Sequence, residues 1–136
     1  ADVPVALDVA TRLDKQGIGV TVVDPVWTFL VADALVRLAA EHRLVVSIED
    51  NLVIGGLGSH LELALDAAGH EVAMRQFGLP DEFLLQASRR EVLESLGLSA
   101  QDIARSGIET ALQLDVTTDR AGSLTAPGQA STPAAE

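Results

Sequence analysis

Glu49, Asp50 and Asn51 are side chains whose types and spacing could do chemistry. They follow the apolar run from Leu44 to Ile48. Neighbouring carboxylates raise one another's pKa and attract hard cations, so this turn could act as an acid/base pair or as part of a metal site. Because the same turn holds no third acidic ligand, the favoured interpretation is an acidic contact between domains or subunits, capped by Asn51.

A glycine loop, Gly55-Gly56-Leu57-Gly58, comes next and leads into a predicted helix at Ser59. Free amides at the start of a helix favour anions, so the loop could bind one. Glycines here could equally serve a tight turn and a close contact between strand and helix. The spacing is not that of a dinucleotide fingerprint, no lysine follows as in a phosphate loop, and the preceding acids disfavour phosphate. The turn is therefore favoured over the anion site.

Other candidate side chains have simpler explanations. Ser59 and His60 resemble a nucleophile and its base, but adjacent helical residues point about 100° apart, which places them poorly for proton transfer. Arg89 and Arg90 are expected to be a solvated pair in the first turn of a helix. Trp27 could stack on a ligand, although packing at the top of the sheet or at a domain interface is favoured. We therefore predict no catalytic, cofactor-binding or metal-binding residue in this segment.

The composition excludes several classes of function. The chain has 136 residues, a net charge of −11, 48% hydrophobic residues, 3% aromatic residues and no cysteine. This charge disfavours binding to nucleic acid or to anionic membranes. Disulfides and thiolate zinc sites are excluded. Since no segment resembles a signal peptide or approaches the ~20 apolar residues of a membrane span, a cytoplasmic location is expected.

The hydrophobic pattern predicts an α/β domain. Helices are predicted over residues 2–16, 31–42, 59–68, 88–96 and 99–112, and strands over residues 18–23, 44–48 and 71–77. The last two helices are predicted to begin with a capping box, in which Ser88 pairs with Glu91 and Ser99 with Asp102. The strand over residues 18–23 is a β-branched run that ends in Asp24-Pro25, which is typical of a strand buried on both faces. Alternating strands and helices imply parallel pairing with right-handed crossovers.

The two ends of the chain differ from this pattern. Residues 115–136 are rich in Thr, Ala, Gly, Ser and Pro and are predicted to be a disordered tail, which leaves residues 1–114 as the domain. At the other end, the first helix has no strand before it. A three-stranded sheet of this kind would leave strand edges bare. We therefore expect the chain to be a fragment or one piece of a split protein.

Five stretches, in order, resemble the carboxyl-terminal domain of the 1-deoxy-D-xylulose-5-phosphate synthases, which are transketolase-like thiamine diphosphate enzymes. They are GIGVTVVDP at 17–25, HRLVVSIEDN at 42–51, GGLGS at 55–59, FGLPDEFL at 77–84 and ASRREVLESLGLSAQDIA at 87–104. Each stretch alone is a weak signal, whereas the ordered set is specific. The resemblance covers roughly residues 5–104.

The resemblance implies a three-layer α/β/α fold with a mostly parallel sheet that lacks its first strands, one of them central. Whole enzymes of the family condense pyruvate with glyceraldehyde 3-phosphate, with loss of carbon dioxide, in isoprenoid precursor synthesis. Thiamine diphosphate and Mg²⁺ are held by the preceding domains, so this segment would bind neither. Its partners would be those domains and a second subunit of a homodimer. The alternative is a stand-alone, non-catalytic interaction module that diverged from such a domain.

One loop departs from the family pattern. Val26, Phe29 and Leu30 stand where the family usually carries Arg, Lys and Pro. This change removes two cations near Asp24 and could alter how the domain docks. The candidate residues for an interface or an anion loop are Asp24, Trp27, Glu49, Asp50, Asn51, Gly55, Gly56, Gly58 and Ser59.

Overall fold

The computed structural model describes residues 3–25, 31–80 and 88–124, except for the side chains of residues 51 and 116–124. This part of the chain contains five helices and two strands. In chain order they are α1 (Val3–Asp14), α2 (Asp33–Ala40), β1 (Leu44–Leu52), α3 (Leu57–Ala67), β2 (Ala73–Leu79), α4 (Arg89–Ser95) and α5 (Ala100–Leu124). The helices and strands alternate from α2 to α4, as the sequence pattern predicts.

Strands β1 and β2 pair in parallel, and α3 forms the crossover between them. The register places Leu44 opposite Ala73 and Ile48 opposite Phe77, and it becomes irregular between Ile48 and Leu52. The predicted α/β class and the parallel pairing are therefore confirmed. The irregular part of the register coincides with the acidic residues that follow Ile48.

Helices cover both faces of this sheet. Side chains alternate between the two faces along a strand, and β1 does so: Val46 and Ile48 pack beside α1 and α5, whereas Val45 packs beside α2 and α3. The buried residues fall into two clusters, Val9, Leu13, Ile103 and Ala104 on one face and Ala39, Leu61 and Leu65 on the other. This arrangement is the three-layer α/β/α architecture.

The prediction of a strand over residues 18–23 is wrong for this structure, which places residues 18–25 outside any helix or strand. Val20, Val22 and Val23 are 40%, 38% and 46% exposed. A β-branched run forms a strand only where a neighbouring edge accepts its hydrogen bonds. Among the described residues the one strand pairing joins β1 to β2, so the run is not hydrogen-bonded into the sheet.

Helix boundaries also differ from the prediction, by two or more residues in α1, α2, α3 and α5. Helix α3 begins at Leu57, two residues before Ser59. Helix α5 ends at Leu124 rather than near Leu112, so it continues into the residues assigned to the tail. Within this extension Asp115 pairs with Arg43, the residue before β1. Residues 125–136 lie outside the described residues, and the domain boundary at 114 stays a prediction.

Candidate functional site at the carboxyl end of β1

Glu49 lies within β1, not in a turn, and its carboxylate reaches the start of α3. Its two oxygens accept hydrogen bonds from the backbone amides of Leu57, at 2.8 Å, and Gly58, at 2.7 Å. These are amides of the first helical turn, which have no partner within the helix. The Glu49 side chain thus occupies the position at which the sequence alone allowed an external anion to bind.

Sterics account for each glycine of the loop. Gly55 has a φ of 75°, which side chains rarely adopt. A Cβ atom at Gly56 would lie 2.3 Å from Glu49 Oε2, and one at Gly58 would lie 2.3 Å from Ser47 Oγ. The glycines therefore let the carboxylate and the strand approach the helix closely.

Ser59 belongs to a hydrogen-bond network between α3 and β2. Its hydroxyl donates to the carbonyl oxygen of Val53 at 2.7 Å and lies 3.1 Å from Gln76 Oε1. The Gln76 amide in turn donates to Glu62 at 2.7 Å. The His60 Nδ1 atom lies 2.8 Å from the carbonyl oxygen of Gly56 instead. In the part of the chain that the structure describes, Ser59 therefore contacts a backbone carbonyl and a side-chain amide rather than a basic side chain.

Asp50 connects the end of β1 to the start of α4. Its carboxylate lies 2.8 Å from the guanidinium of Arg89, with both side chains well exposed. Arg90 pairs with Glu94 at 3.1 Å within the same helix. The two arginines are thus paired with acids on different elements, and the Asp50–Arg89 pair links the end of β1 to α4. Asn51 lies in β1, and Asp24 is exposed. The loop of residues 26–30, which includes Trp27, lies outside the described residues.

The predicted capping box at the start of α4 is confirmed. The Ser88 hydroxyl accepts from the Glu91 amide, and the Glu91 carboxylate accepts from the Ser88 amide at 3.0 Å. The hydrogen bond from the Ser88 hydroxyl, followed by the one from the Ser88 amide, lowers the pKa of Glu91 below its ordinary value. These reciprocal hydrogen bonds hold the first turn of α4.

Sequence reasoning missed a groove along the edge of β1 that faces residues 18–25. It has a volume of about 840 Å³ and is lined mainly by apolar side chains of α1, residues 18–25, α2, β1 and α3. Ser47, on β1, also lines it. The prediction of bare strand edges was the one signal that pointed to such a feature.

The described residues do not fit a diphosphate with its Mg²⁺. Within residues 3–25, 31–80 and 88–124, no three His, Asp or Glu side chains form a group that could hold a metal ion. The amides at the start of α3 are bonded to Glu49. No helix in this part of the chain is long and apolar enough to cross a membrane.

A family model of the transketolase C-terminal domain matches residues 1–103. The chain belongs to this family. It is 50% identical over 119 residues to the 1-deoxy-D-xylulose-5-phosphate synthase 2 of Streptomyces coelicolor, covering 88% of this chain and 18% of that protein. It is 54% identical over 102 residues to the 1-deoxy-D-xylulose-5-phosphate synthase of Mycobacterium tuberculosis, covering 75% and 16%.

These relatives confirm the resemblance stated from the sequence. A third, the 1-deoxy-D-xylulose-5-phosphate synthase 2 of Streptomyces avermitilis, is 49% identical over 112 residues, or 82% of this chain and 17% of that protein. The chain therefore spans less than a fifth of the length of the curated relatives it matches. What those whole enzymes do is carried to this chain only as a proposal.

Proposed function

We propose that this chain is the carboxyl-terminal domain of a 1-deoxy-D-xylulose-5-phosphate synthase and that its own role is structural. The whole enzyme would be a cytoplasmic transferase that condenses pyruvate with glyceraldehyde 3-phosphate and releases carbon dioxide. Thiamine diphosphate and Mg²⁺ would be held by the domains that precede this one. The observation that carries the proposal is the identity of 49–54% to three such synthases over at least three quarters of this chain.

The contacts at the carboxyl end of β1 support a structural role. The Glu49 carboxylate caps α3, the Ser59 hydroxyl is bonded to backbone, and Asp50 is paired with Arg89. Groups engaged in this way stabilise the edge of the sheet instead of meeting a substrate. The exposed parts of this edge, with Asp24, would contact the preceding domains or the second subunit of a homodimer.

The test is a domain exchange in the Streptomyces coelicolor enzyme. In the chimera, residues 1–114 of this chain replace the aligned segment and the host keeps all residues before it. We expect pyruvate-dependent release of carbon dioxide, with glyceraldehyde 3-phosphate as acceptor, within about tenfold of the parent enzyme. The host without any third domain is the control, and we expect it to be inactive.

A chimera that folds, binds thiamine diphosphate and remains as inactive as the truncated host would overturn the proposal. That outcome would favour the stand-alone interaction module. Calorimetry on the isolated chain provides an independent check, since we expect no heat on addition of thiamine diphosphate with Mg²⁺. Micromolar binding there would contradict the structural role.

A further inference from the structure

We draw no further inference here: the strongest candidate, the surface patch formed by the exposed side chains of Leu52 and Ile54 at the carboxyl end of β1, carries none because nothing in the described part of the chain shows what covers it.

Discussion

Two glycines on helices offer a matched test of how closely α3 lies on β1. Gly58 is the second residue of α3 and Gly107 lies in the interior of α5, and both are buried. In an unstrained helix, Gly→Ala stabilises by about 0.4–1 kcal/mol, because alanine restricts the unfolded chain. The same substitution should therefore change the free energy of unfolding in opposite directions at these two sites.

The contacts of the added methyl group decide the sign. At Gly58 it would lie 2.3 Å from Ser47 Oγ, 2.9 Å from Ser47 Cβ and 3.0 Å from Gln76 Oε1. The hydroxyl can rotate away, but Ser47 Cβ is fixed to the backbone of β1, so strand and helix must separate. Such overpacking costs about 1–3 kcal/mol. After subtraction of the helical gain, Gly58→Ala should lower the free energy of unfolding by about 1–2 kcal/mol.

At Gly107 the nearest atom to the added methyl group is Leu13 Cδ2, at 3.7 Å. This is ordinary van der Waals contact. Gly107→Ala should therefore keep the helical gain and raise the free energy of unfolding by about 0.5–1 kcal/mol.

Urea unfolding followed by circular dichroism measures both changes. For a slope of 1–2 kcal/mol per molar urea, the Gly58 variant should unfold at a midpoint about 1 M lower. Ser47→Ala removes the closest atom, so in the double variant it should recover part of the loss, with a coupling of about 0.5 kcal/mol or more. A Gly58→Ala protein as stable as the parent, or one that Ser47→Ala does not rescue, would refute the close approach of α3 to β1.

Three further outcomes follow from the same region. Glu49→Gln should lower the free energy of unfolding by about 1.5–3 kcal/mol, because the helix amides lose a charged acceptor. Asp50→Asn should lower it by less than about 1 kcal/mol in the same urea assay, because its ion pair is exposed; equal losses would contradict this. Ser88→Ala should raise the pKa of Glu91 part of the way to its ordinary value in a carbon-detected NMR titration, because it removes the hydroxyl hydrogen bond, the larger of the two causes, and keeps the amide of residue 88. The stabilisation from Glu91 is full above its unfolded pKa and is lost as pH falls through its lower folded value; an unshifted pKa in the variant would exclude the box.

Local signals predicted much of the fold. The capping residues Ser88 and Ser99 identified the starts of α4 and α5, because a cap involves residues only three positions apart. The apolar run of β1 and the alternation with helices gave the parallel pairing. Patterns of this kind are complete within a short window, so no knowledge of tertiary structure is needed.

Features that depend on distant partners were not predictable in this way. The β-branched run at residues 18–23 has the composition of a strand, but whether it pairs depends on an edge elsewhere in the sheet. Glu49 and Gly58 are nine positions apart, and only the path of the chain between them brings the carboxylate to the amide. The sequence therefore named these residues as candidates, and their contacts became visible only in the structure.

The position of Glu49 explains why a segment so rich in reactive groups can be structural. The start of a helix attracts negative charge whether that charge is a ligand or a side chain. A carboxylate on the adjacent strand occupies this position and accepts from two of the amides that a phosphate would use, those of Leu57 and Gly58. Asp50 pairs with Arg89 of α4, and the Ser59 hydroxyl donates to the backbone carbonyl of Val53 in the loop. The acidic residues that could have indicated catalysis in the sequence thus connect β1 to α3 and α4.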